Sequence, residues 1–147
     1  PVFYNNKYIK DNVKMPLAHG ERVFGRWEYI RYFMDNSIQV IQPDIGNAGG
    51  ITETKRICDM AYTFDVGVQI HTCASHLLTP PSVQLEACIP NFVIHEQHMR
   101  SMNPSNQELT AKVVMPKNGY LDVTDDIGIG NEWSDKALAS EDQITLN

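Results

Sequence analysis

Four ionisable residues stand out by type and spacing: Glu21, Asp44, His71 and Glu96. Successive members lie 23, 27 and 25 positions apart. Each closes a short apolar run: Met15-Pro16-Leu17-Ala18 before Glu21, Ile38-Gln39-Val40-Ile41 before Asp44, Val66-Gly67-Val68-Gln69-Ile70 before His71, Phe92-Val93-Ile94 before Glu96. Carboxylates hold hard divalent cations, and an imidazole beside a carboxylate moves protons. Singly, each of these residues reads as a loop carboxylate or a satisfied histidine. Four in register make a candidate site for proton abstraction.

A strand, a helix and two loops take about 25 to 30 residues, so the spacing predicts consecutive βα units. Right-handed crossovers then bring all the C-terminal strand ends to one face, the mouth of a (β/α) barrel. The β-branched runs read as strands buried on both faces. Between them, Arg26 to Asn36 carries Trp27, Ile30, Phe33 and Met34 at helical spacing. Thr52 reads as the N-cap of a helix whose buried stripe is Ile51, Ile57, Cys58, Ala61 and Phe64. Pro80-Pro81 opens a helix packed by Val83, Leu85, Ala87, Cys88 and Ile89. After Glu96 the pattern changes. Gln97 to Gln107 reads as a polar loop, and Asn118-Gly119 between Ala111–Met115 and Tyr120–Val123 reads as a hairpin.

The 147 residues are enough for one domain with a core, and 42% hydrophobic with 20% charged is an ordinary globular composition. A net charge of −6 with no basic cluster argues against a nucleic-acid partner. No apolar run has membrane-spanning length, and the opening residues do not read as a signal peptide. Cys58, Cys73 and Cys88 are an odd number without Cys-x-x-Cys spacing, so a reducing cytoplasm is expected. Cys58 and Cys88 read as core thiols, with Cys73 packing at the border of the site.

Several words of the sequence go further: Leu17-Ala18-His19-Gly20-Glu21-Arg22, Ile41-Gln42-Pro43-Asp44, Asn47-Ala48-Gly49-Gly50-Ile51-Thr52-Glu53, Ile89-Pro90-Asn91-Phe92 and Ile94-His95-Glu96. In these the chain resembles the C-terminal part of the mandelate racemase/muconate lactonizing enzyme group of the enolase superfamily. It is most similar to acid-sugar dehydratases such as galactonate dehydratases. The resemblance implies an α/β fold, the C-terminal half of a TIM-like (β/α)7β barrel in residues 1–98 with a short β-rich closing segment in 99–147. It implies a magnesium ion held by three strand-end carboxylates, the last falling on Glu21. It implies an Asp44–His71 dyad as base or acid at the carbon next to the substrate carboxylate, and Glu96 hydrogen-bonding that carboxylate as it becomes an enediolate. In the family, the other two metal ligands lie on strands that precede the part matched here. The expected activity is dehydration of a sugar acid to a 2-keto-3-deoxy acid. A racemase or epimerase, or a truncated non-catalytic fragment, are the alternatives. An open half-barrel also predicts association through its sheet edge, as a homo-oligomer or with a second chain.

Overall fold

The computed structural model describes residues 2–140, with side chains from Asn5 onward. Its element order is α1 (Val2–Asn12), β1 (Ala18–His19), α2 (Arg26–Met34), β2 (Val40–Ile41), α3 (Ile45–Ala48), α4 (Gly50–Thr63), β3 (Gly67–Val68) and α5 (Thr79–Ala87). A 3₁₀ turn (Met99–Met102), α6 (Pro104–Gln107) and α7 (Asp135–Ser140) follow. The strands pair in parallel in the order β1-β2-β3, with α2 between β1 and β2 and with α3 and α4 between β2 and β3. A fourth extended segment joins β3 through a parallel bridge between Val68 and Phe92. None of the described helices is long and apolar enough to cross a membrane.

The sheet is covered on one face, not two. Val66, Val68 and Ile70 are buried, whereas the alternate residues Gly67, Gln69 and His71 are partly open. Strand alternation sends the first set into the helix layer, where Ile41, Val68 and Ile70 pack with Tyr29, Phe33, Ile57, Ala61 and Leu85. The other face carries Gln42 and Gln69, joined at 2.9 Å. Burial on both faces was the expectation, and it fails because among the described residues nothing covers this second face.

The helices form where the pattern places them, with some faces rotated. In α2 the buried residues are Tyr29, Tyr32 and Phe33, while Trp27 and Met34 are 75% and 77% exposed. Tyr29 wins the core position because its hydroxyl finds a partner, donating to Gly20 O at 2.7 Å. Thr52 lies inside α4, which starts two residues earlier from the left-handed Gly49. Ile57, Cys58 and Ala61 are buried as expected, but Ile51 and Phe64 are exposed. Burial pushes the Cys58 thiol up to about 12. Cys88, expected in the core, is exposed just past α5.

The closing segment is not β-rich among the described residues. Asn118 and Gly119 take left-handed φ values of 52° and 83°, so the hairpin turn is present. Lys117 and Tyr120 exchange backbone bonds of 2.8 and 3.0 Å, but the flanking runs stay irregular. An antiparallel bridge between Thr110 and Trp133, with Ala111 N–H donating to Glu132 O and Ser134 N–H to Leu109 O at 3.0 Å each, and several side chains hold this segment. The buried His76 touches Ser101 O at 2.9 Å through Nε2 and accepts from Val114 N–H at 3.3 Å. Asn131 Nδ2 donates to His76 O at 3.0 Å. The expected polar loop at 97–107 contains the 3₁₀ turn and α6, capped by His98 and Asn103. The expected short closing element is met by α7, and residues 141–147 lie outside the described residues.

Candidate active site

The β2–β3 register fixes the first pair. Val40 sits opposite Gly67, Ile41 opposite Val68, and the same offset places Asp44 opposite His71 as parallel bridge partners. Their side chains therefore emerge side by side, and His71 Nδ1 lies 2.8 Å from Asp44 Oδ2. Asp44 is buried and fully engaged. Its Oδ1 accepts from Gly46 N–H at 2.7 Å and Asn47 N–H at 3.1 Å, capping α3. A carboxylate held by three donors acts as a fixed acceptor, so it presents His71 in one orientation with Nδ1 as the donor.

Glu21 reaches the same imidazole from β1. Its Oε2 lies 3.1 Å from His71 Nε2, and its Oε1 is 3.4 Å from Arg22 Nε. Register alone would not bring it there. Ala18 pairs with Val40 and His19 with Ile41, which puts Glu21 level with Pro43, on the alternation of the core-facing Ile41. Gly20, at φ 140°, turns the chain out of strand geometry and frees the next side chain to swing to the open face. Tyr29 Oη and Val23 N–H both donate to Gly20 O, and Asn47 Nδ2 donates to Glu21 O at 3.3 Å. Burial drives the Tyr29 phenol far above its ordinary range, so it remains a donor. A Cβ at Gly20 would stand 2.8 Å from Tyr29 Oη and 3.0 Å from Gln42 N. Gly20→Ala is expected to cost about 2 kcal/mol, read as a lowered urea midpoint at unchanged m-value.

Glu96 is half-buried, with Oε2 buried and without a hydrogen-bond partner. Its neighbour His95 pairs through Nδ1 with Glu86 Oε2 at 2.8 Å. Sequence reasoning passed over Glu86, although a carboxylate among the core-facing residues Val83, Leu85 and Ile89 was a visible signal. Burial raises the Glu86 carboxyl above the ordinary carboxylate range, and the hydrogen bond from His95 opposes that only in part. The folded chain thus binds this proton more tightly than the unfolded chain does. The stabilisation is full at pH below the ordinary carboxylate range and is lost as pH rises through the raised value. Glu86→Gln should remove this downward slope, measured as denaturation midpoint against pH.

Glu21 offers one exposed carboxylate to a cation, and Asp44 is committed to α3 and His71. Among the described residues no group of three or more His, Cys, Asp or Glu side chains is arranged to hold a metal ion. The residues present therefore fit one ligand of a divalent-cation site and not a site.

The family pattern described as enolase C-terminal domain-like matches residues 5–137, nearly the whole chain. The chain belongs to this family. A member of the enolase superfamily from Salmonella Typhimurium superposes on this chain with a TM-score of 0.93 at 41% identity, covering 98% of this chain and 37% of that one. A D-galactonate dehydratase from Pectobacterium atrosepticum is 36% identical over 85 residues, 58% of this chain and 22% of the relative. An enolase from Agrobacterium radiobacter, whose crystal structure carries bound sodium and L-malate, is 28% identical with a TM-score of 0.84, over 99% of this chain and 40% of that one. The chain thus spans well under half the length of each of these proteins.

Proposed function

We propose that this chain is part of an acid-sugar dehydratase in which His71 removes the proton from the carbon next to the substrate carboxylate. The observation that carries this reading is the His71 ring held by Asp44 at Nδ1, which leaves Nε2 on the open face beside Glu21. The names of the similar D-galactonate dehydratases support the substrate class. His71 Nε2, on the open face, takes the proton while Asp44 keeps the ring in place. The electron pair left on the substrate forms an enediolate. As it collapses, the hydroxyl of the adjacent carbon takes back the proton held on His71 Nε2 and leaves as water, and the resulting enol becomes the 2-keto-3-deoxy acid. Glu96 is assigned to the substrate carboxylate, where the negative charge grows.

Magnesium is the ion we assign to Glu21, with its remaining carboxylates supplied from outside the described residues. Phe92, Val93 and Ile94 are exposed along the last extended segment, which supports association of that edge with further polypeptide. Three free cysteines suit a reducing compartment, the cytoplasm.

The test combines the chain with the part of the Salmonella Typhimurium relative that lies outside the match, adds magnesium, and offers a panel of sugar acids. A 2-keto-3-deoxy product from the pair, and from neither part alone, is the expected result. Inversion at the carbon next to the carboxylate without loss of water would favour a racemase or epimerase. No turnover of any sugar acid would leave a non-catalytic fragment.

A further inference from the structure

The ladder between β2 and β3 runs on to the rim. Gln69 N–H donates to Ile41 O at 2.9 Å and His71 N–H to Pro43 O at 3.0 Å. The ladder between β3 and the fourth segment stops early. Its last bond is Val93 N–H to Val68 O at 2.9 Å, and among the described residues no backbone–backbone hydrogen bond holds residues 94–97. A regular parallel ladder would next join Ile70 N–H to Val93 O.

Glu86 of α5 stands at this interruption. It is only 6% exposed, and its Oε2 accepts from His95 Nδ1. The Ile70 backbone N–H favours the same carboxylate, although it falls short of a hydrogen bond to Oε1, which stays unpartnered. Strand alternation from Phe92, level with Val68, would send His95 to the face of His71. Instead His95 meets Glu86 in the helix layer. Gln97 is tied in turn, with Nε2 donating to Ser101 Oγ at 2.5 Å. His95 lines, with Glu86, Val93, Ile94 and Gln97, a groove of about 530 Å³ between α5 and the closing segment.

A buried carboxylate with an unpartnered oxygen lowers stability, and an apolar residue would pack this helix face at no such cost. We propose that Glu86 is a positioning residue: its carboxylate wedges the fourth segment off β3, keeps His95 on the helix side, and thereby turns Glu96 toward the face of Asp44 and His71. The inference rests on the assignment of Glu96 to the substrate carboxylate. Neither Glu86 nor His95 touches the reacting atoms in this account.

The test uses the 147-residue chain in solution, labelled for NMR. Wild type is expected to show one Glu96 side-chain rotamer and no through-bond coupling between Ile70 N–H and the Val93 carbonyl. In Glu86→Ala the coupling should appear and the Glu96 rotamers should average. Glu86→Gln, which still accepts from His95, should restore the wild-type pattern. His95→Ala gives the same reading if Glu86→Ala does not fold, since it removes the handle and keeps the carboxylate. L-malate serves as the carboxylate probe, its dissociation constant expected to rise about tenfold in Glu86→Ala and to stay near wild type in Glu86→Gln. Unchanged Glu96 rotamers and an unchanged Ile70 amide in both Glu86→Ala and His95→Ala would overturn the wedge. L-malate binding that ignores Glu96→Gln would instead overturn the assignment of Glu96, and with it the purpose given to the wedge.

Discussion

Asp44→Ala is expected to destabilise the chain by about 3 kcal/mol and to lower its thermal midpoint by about 10 °C. Two losses add. The helix α3 loses the cap that satisfies Gly46 and Asn47 N–H, worth about 1 kcal/mol. His71 loses a charge-assisted partner at 2.8 Å in a buried setting, worth about 2 kcal/mol. Asp44→Asn separates them. Asparagine caps a helix as well as aspartate, so most of the stability should survive. Its side-chain N–H₂ would face His71 Nδ1, however, and demand the opposite tautomer. Stability close to wild type with loss of dehydration is the combined result expected of Asp44→Asn.

The second large effect falls on chemistry. His71→Asn should lower dehydration by the complemented pair about 10²- to 10⁴-fold, the range for loss of a positioned base. Asparagine can still donate to Asp44, so the fold has little to lose. A fall in kcat with KM nearly unchanged is the expected split, because the ring acts when the proton moves and not when the substrate docks. A comparable loss in Tm would mean that His71 serves packing.

The Asp44–His71 pair was legible in the sequence because both residues end runs that enter one ladder at one offset. Glu21 was legible as a strand-end carboxylate, but the reason it arrives was not. That depends on the positive φ of Gly20 and on a tyrosine hydroxyl nine residues later, which hydrophobic spacing does not encode. The face of α2 was misjudged for the same cause. Trp27 and Met34 are more apolar than Tyr29, yet Tyr29 is the one whose polar end is satisfied inside. Cys88 was misjudged because it stands just past the end of α5, where helical spacing no longer decides which way a side chain faces. The closing segment misled for a different reason. Its turn chemistry was read correctly at Asn118-Gly119, but a hairpin needs a face to bury, and Tyr120 and Val123 remain largely in solvent. Glu86 was legible as a carboxylate among core-facing residues of α5, but its contact with His95 nine residues on was not.

The most direct measurement is the ¹⁵N and ¹H NMR signature of the His71 ring in the wild-type chain and in Asp44→Asn. The account predicts a proton on Nδ1 of His71, shifted downfield by its bond to Asp44 and absent in Asp44→Asn. A His71 ring that carries its proton on Nε2 with Nδ1 bare in the wild type would contradict it.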